Sequence, residues 1–368
     1  MRMTGQVIDV FDAPVDQTPD LDEVVRATMQ WHFSPETGSP YWLGRAAGLG
    51  FDPRTDVRTF ADLQLFEDVA VDWSRIPAHL LVPAGCDTGT QRFGVFESGG
   101  TTGAPKRVVD FSSRRRNVAY QSFLLDQVGF PRDEGNWLHV GPTGPHVMAR
   151  NVTTLAWLRG FMCYYVDLDP RWVRRCVSQG RQDLFRLYLD HLADQVRDVL
   201  STQDIRAMSC TPPVLERLAA RPDVYALMRE KIRGIIWGGT SASPETLRLF
   251  QTEVFPDAKI MGAYGNTMMG VAPQRPGRPD DPAPCVFRPY FPYTVVEVVD
   301  PGEPGKHVAE DATGRVKVTT LTRDLFMPPT LERDMATRRR SVDDYPGIEV
   351  SGVKPREAAD NAIIEGVY

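Results

Sequence analysis

Apolar positions recur at helical spacing early in the chain. Leu21, Val24, Val25 and Met29 share one stripe with Thr28, and Asp20 precedes them as an N-cap carboxylate. The Pro-, Asp- and Thr-rich residues 1–18 read as a loose lead-in, and residues 34–60 predict loops with short helical turns. Beyond residue 90 the pattern changes. Short apolar runs at Phe93–Glu97, Asn136–Val140, Phe161–Val166, Met208–Cys210, Gly234–Trp237 and Lys259–Ala263 predict strands, and amphipathic stretches between them predict helices. One helix is expected over Ser112–Val128, capped by Ser112 and carrying Val118, Phe123, Leu124 and Leu125. Leu184, Leu187, Tyr188, Leu192, Val196 and Val199 make the clearest helical stripe; His191 within it reads as a core or edge histidine. Thr211 and Ser243 stand as caps before Pro212 and Pro244. Residues 272–292 are rich in Pro and Gly. Two strands follow, Thr294–Val299 and Arg315–Leu321, separated by a turn at 301–305. No internal repeat appears. The fold class is α/β.

At 368 residues the chain can bury a large core, and its 42% hydrophobic and 24% charged residues are those of a globular protein. A net charge of −6 argues against a nucleic-acid surface, and Arg114-Arg115-Arg116 and Arg338-Arg339-Arg340 read as isolated solvated runs. Five cysteines, odd in number and without a C-x-x-C pair, point to reduced thiols in the cytoplasm. No apolar run approaches the about 20 residues of a membrane span, so no membrane partner is expected.

The chemistry concentrates in Ser98-Gly99-Gly100-Thr101-Thr102-Gly103-Ala104-Pro105-Lys106. Three glycines let backbone N–H groups converge, the hydroxyls of Ser98, Thr101 and Thr102 add donors, and Lys106 adds a point charge. Such a loop suits a polyphosphate; the competing reading is a mobile surface turn. Neither the Walker spacing nor G-x-G-x-x-G is met.

This stretch resembles the signature loop of the adenylate-forming enzymes, the superfamily of acyl- and aryl-CoA ligases, peptide-synthetase adenylation domains and luciferases. Trp237-Gly238-Gly239-Thr240-Ser241 resembles that family's adenine-side turn, and Ala263-Tyr264-Gly265-Asn266-Thr267 its Y-G-x-T core. Leu331-Glu332-Arg333-Asp334-Met335-Ala336 stands where the family carries its ribose-binding aspartate. The resemblance covers roughly 85–340. It implies the family's N-terminal large domain, with 1–85 a helical and loop region, 86–270 the nucleotide-binding core, 271–340 a β-rich subdomain and 341–368 a short tail. It further implies that Ser98, Gly99, Gly100, Thr101, Thr102, Gly103 and Lys106 hold the outer phosphates of ATP. Gly238, Gly239, Thr240, Tyr264 and Gly265 would line the adenine, Thr267 would bond the α-phosphate and Asp334 the ribose. Alternatives stay open for Tyr264 as core packing, Thr267 as a turn hydroxyl and Asp334 as a partner of Arg333 or Arg338. His146, in the loop after the Asn136 strand, would orient the substrate carboxylate or serve no role. Lys106, Thr267 and His146 are the implied catalytic residues.

Two departures from the family qualify what the resemblance implies. Met268 stands where the family has a glutamate that binds Mg²⁺, and a neutral thioether does not replace a hard oxygen ligand. Magnesium is then expected on phosphates and water rather than on that position. After Asp334 only 34 residues remain, so the family's C-terminal lid is expected to be absent, and Lys354 lacks the surroundings of the lid's lysine. Size and substituted motifs are most similar to the short stand-alone adenylating proteins of phenazine antibiotic biosynthesis. That likeness implies ATP-dependent activation of an aromatic carboxylic acid as its acyl-adenylate, for use by a downstream reductase or acyl acceptor. Trp157, Phe161, Tyr164 and Tyr165 would line a flat pocket or belong to the core. The alternatives are an aryl-CoA ligase of the phenylacetate-ligase type and a nucleotide-binding scaffold with impaired catalysis.

Overall fold

The computed structural model describes residues 9–69, 72–90, 93–98, 104–110 and 112–356. The strands are β1 (Gly94–Glu97), β2 (Arg107–Asp110), β3 (Asn136–Gly141), β4 (Cys163–Asp167), β5 (Ile205–Cys210) and β6 (Gly234–Gly238), then β7 (Lys259–Asn266), β8 (Gly270–Pro273), β9 (Thr294–Val299), β10 (Thr313–Leu321), β11 (Phe326–Arg339) and β12 (Glu349–Pro355). Three sheets result. β1 and β2 form an antiparallel hairpin; β4-β3-β5-β6-β7-β8 form a six-stranded sheet, parallel except for β8; and β12-β11-β10-β9 form a four-stranded antiparallel sheet.

Strand periodicity explains why the central strands read as continuous apolar runs. Successive side chains point to opposite faces, and here both faces are covered. Leu138, Met208, Ile235 and Ile260 enter one core with Leu192, Val196 and Leu200 of the helix Gln182–Thr202. Their neighbours Trp137, Ala207, Ile236 and Met261 enter a second core with Val118 and Leu125 of the helix Ser113–Gln127 and Leu155 and Ala156 of the helix Val147–Leu158. The first core also takes in Phe11 from the lead-in, Met29 from the helix Leu21–Phe33 and Val298, Val318 and Val350 from the antiparallel sheet.

Several local expectations hold. Asp20 caps the helix Leu21–Phe33 by accepting from the Glu23 amide, and Ser243 caps Pro244–Leu249 through the Thr246 amide. Others are corrected. Ser112 precedes its helix but gives no side-chain cap; the Asp324 carboxylate accepts from the amides of Ser112 and Ser113, each at 2.9 Å, and so ties that helix to the β10–β11 turn. Thr211 likewise gives no cap bond to Pro212–Ala219. His191 is exposed rather than packed, as is Leu187, because the helix turns Leu192, Ala193, Val196 and Leu200 inward. The Phe93 run forms a strand only from Gly94, and in the hairpin rather than the large sheet. Residues 349–355, expected within the tail, form edge strand β12, paired to β11.

A candidate nucleotide site

The hairpin fixes the two roots of the glycine-rich loop. The Ser98 amide donates to the Lys106 carbonyl and the Lys106 amide donates to Ser98 Oγ, both at 2.9 Å. Gly99, Gly100, Thr101, Thr102 and Gly103 lie outside the described residues. Just before the loop, Glu97 pairs in register with Arg107, whose Nε lies 3.0 Å from Oε1, and accepts a second bond from Arg171. The Arg171 bond above all holds the Glu97 carboxyl below its usual range. Its backbone amide donates to the Pro145 carbonyl at 2.9 Å, and this contact seats the His146 loop against the hairpin. Burial, and next Arg171, lower the His146 imidazole, so it is neutral near pH 7.

The other motifs arrive at the carboxyl ends of β6 and β7, where open parallel sheets leave crevices. Gly238 pairs with Ala263, and a Cβ there would lie 2.5 Å from the Ala263 carbonyl oxygen. Gly239 follows with φ of 80°, a left-handed conformation that suits glycine. The hydroxyl of Thr240 is buried with no hydrogen-bond partner among the described residues. At Gly265 a Cβ would fall 2.0 Å from the Gly270 carbonyl oxygen, so the tight β7–β8 turn admits no side chain. Asn266 Oδ1 accepts from the amides of Met268 and Met269 and braces that turn. Thr267 is buried; its Oγ1 donates to the Glu97 carbonyl at 3.3 Å, and its own carbonyl accepts from Arg114 at 2.8 Å. The root of the glycine-rich loop and the Y-G-N-T turn therefore meet directly.

Tyr264 spans the two readings open for it. Its ring is buried against Phe287, with centroids 5.8 Å apart, while its hydroxyl donates to Asp334 Oδ2 at 3.1 Å. Asp334 sits on an irregular stretch of β11: Arg315 pairs with Met335 but Lys317 with Leu331, so Glu332–Asp334 bulge from the ladder. Such bulges re-aim side chains beside functional sites. Arg338 does not pair with Asp334, since its guanidinium bonds the Val308 carbonyl; Arg333 Nε lies 3.8 Å from Oδ1. Burial raises the Asp334 carboxyl against the pull of Arg333.

The structure thus gathers Ser98, Lys106, His146, Thr267, Tyr264 and Asp334 at the meeting of the hairpin, the large sheet and β11. It does not gather the four aromatics. Trp157 is exposed under the Arg115 guanidinium, Phe161 packs on Trp137 in the second core, and Tyr164 and Tyr165 point to opposite sides of edge strand β4. Sequence reasoning missed Glu97, Arg107 and Arg171, which brace the loop root, and Glu332, on which the Lys106 charge acts. The hairpin itself carried a signal for the first pair, since residues flanking a loop at matched positions face one another across it.

A family profile described as "AMP-binding enzyme" matches residues 95–320, more than half of the 368 residues, from the glycine-rich loop through the Y-G-N-T turn. The chain belongs to the AMP-binding enzyme family. None of the curated proteins compared with it matches. Among solved structures, this family member is similar to a 2-hydroxyisobutyryl-CoA ligase in complex with 2-HIB-AMP and CoA in its thioesterification state: TM-score 0.63, 13% identity, covering 91% of this chain and 67% of that one. An open conformation of the same ligase gives TM-score 0.58, 13% identity and coverage of 86% and 69%. ATP-bound MatB from Rhodopseudomonas palustris gives TM-score 0.48, 19% identity and coverage of 71% and 47%, so the chain spans about half of that protein's length. The fold is the mixed α/β fold of the N-terminal domain of adenylate-forming enzymes. Among the described residues no helix is long and apolar enough to cross a membrane.

Proposed function

We propose that this protein joins a carboxylic acid to the α-phosphate of ATP, forming an acyl-adenylate and releasing pyrophosphate. One carboxylate oxygen bonds the α-phosphorus, and the bond from that phosphorus to the bridging oxygen breaks as pyrophosphate takes its electron pair. Negative charge gathers on the departing phosphates. Lys106 and the loop donors from Ser98 onward are suited to meet that charge, and Thr267 Oγ1 is suited to exchange its 3.3 Å bond to Glu97 for an α-phosphate oxygen. Asp334, held by Tyr264, would accept from the ribose hydroxyls. Neutral His146 would position the acid without adding a charge. The observation that carries this reading is the convergence of three sequence-distant segments, at Glu97–Lys106, Tyr264–Thr267 and Asp334, through direct hydrogen bonds.

The finer reading is an aromatic acid, specifically a phenazine carboxylate activated in the cytoplasm for a downstream reductase or acyl acceptor; the motif resemblance supports it. Met268, a buried thioether, favours the second reading of a nucleotide-binding scaffold with impaired catalysis. Exchange of labelled pyrophosphate into ATP, run with a panel of aromatic acids including phenazine carboxylates, decides between them. Acid-dependent exchange is expected. Exchange absent with every acid while ATP binds would leave the scaffold, and thioester formed on adding coenzyme A would extend the reaction to a ligase.

A further inference from the structure

The site contains a carboxylate that the proposed roles leave unused. Glu332 Oε1 is buried with no hydrogen-bond partner among the described residues, an arrangement that costs free energy unless something else satisfies it. Its surroundings are those of the loop's phosphate end. Lys106 is the strongest opposing charge acting on it, the Asn266 side chain bonds it, and Asp334 adds a like charge. Its backbone carbonyl accepts from Arg315 Nε at 2.6 Å, which anchors the bulge that carries it.

A buried carboxylate near Lys106 stands close to where the outer phosphates of ATP would lie, and two anions there repel. A divalent cation shared between them removes the conflict. Magnesium takes six oxygens, usually one or two carboxylates with phosphate oxygens and waters, so one protein carboxylate suffices. Among the described residues no three His, Cys, Asp or Glu side chains cluster as a protein-only cage, which fits a cation that arrives with the nucleotide. Met268 offers only sulfur, whereas Glu332 offers a hard, unpartnered oxygen.

We infer that Glu332 is the protein ligand for the Mg²⁺ that accompanies ATP, doing from β11 what Met268 does not do from the β7–β8 turn. The inference rests on the nucleotide reading given above. It is tested by titration calorimetry of the wild-type chain and Glu332→Gln with α,β-methylene ATP, each with Mg²⁺ and with chelator. The wild type should bind the analogue more tightly with Mg²⁺, by about 10- to 100-fold. Glu332→Gln should lose that ratio and bind the metal-free analogue as tightly as the wild type or more tightly. A ratio unchanged in Glu332→Gln overturns the inference and leaves Glu332 a partner of Lys106 and Asn266 only. No binding by the wild type under either condition overturns the nucleotide reading itself, and the inference with it. Crystals of the unaltered chain soaked with Mn²⁺ and the analogue test it without a variant. An anomalous peak in contact with the Glu332 carboxylate is expected, and a peak held by phosphates alone contradicts it.

Discussion

Replacing Tyr264 with Phe removes one oxygen and isolates one function. The ring remains against Phe287 in the core, but the 3.1 Å bond to Asp334 Oδ2 is gone. A hydrogen bond to a charged, buried partner contributes about 1.5–3 kcal/mol. Part of that loss appears as reduced stability. The rest appears in binding, because Asp334 no longer has a fixed orientation toward a ribose. At about 1.4 kcal/mol per tenfold, the ATP dissociation constant should rise by roughly 10-fold and at most about 100-fold. Tripolyphosphate carries the same three phosphates and no ribose. Its affinity should be unchanged in Tyr264→Phe, since Ser98 and Lys106 are untouched. Calorimetric titration of both ligands into both proteins reads the difference directly. Equal weakening of ATP and tripolyphosphate would mean that the substitution disturbed the site as a whole. Unchanged affinity for both would remove Asp334 from the ribose.

Thr267→Ala should lower pyrophosphate exchange by about 10²–10³-fold, the usual effect of deleting one preorganised donor to transition-state charge. Its melting temperature should barely move, because the lost bond to the Glu97 carbonyl is long at 3.3 Å; wild-type exchange would exclude Thr267 from the α-phosphate. Stability should also fall on mild acidification. Burial lowers His32 and His139 from 6.5 to about 4, so the unfolded chain takes up their protons first and stability is lost as pH falls from about 6.5 toward about 4. Asp110 acts in the opposite sense, since burial raises it from 3.8 to about 6 and the folded chain takes its proton first. The two histidines outweigh Asp110 and leave a net loss of about 2 kcal/mol between pH 7 and pH 5, readable by urea unfolding at each pH. Equal or greater stability at pH 5 would contradict the buried, neutral state of these histidines.

The central sheet was legible because strands such as β3, β5 and β6 are covered on both faces, which writes them into the chain as apolar runs. β11 was not legible. Its segment holds Pro328 and Pro329 and five charged residues, and its alternation is broken by the bulge at Glu332–Asp334. The cap on the helix Ser113–Gln127 was hidden for a different reason. Asp324 supplies it from a distant part of the chain, and local pattern favoured the adjacent Ser112. Within the site, the motifs that depend on backbone shape were readable, because Gly238 and Gly265 leave no room for a side chain. Glu332 carried no such mark, since a charged residue followed by Arg333 and Asp334 reads as solvated until the fold buries it. Of the four aromatics Phe161 takes the core alternative, while for Tyr164 and Tyr165 hydrophobic character does not say which face of edge strand β4 a side chain takes.

The central claim is that the loop rooted at Ser98 and Lys106 grips the outer phosphates of a nucleotide. Calorimetric titration of ATP into the wild-type chain and Lys106→Ala tests it most directly. Saturable binding is expected for the wild type, weakened by about 10-fold or more in Lys106→Ala, as loss of a charge-assisted contact requires. Equal affinity in the two proteins, or no uptake by the wild type, would contradict the account.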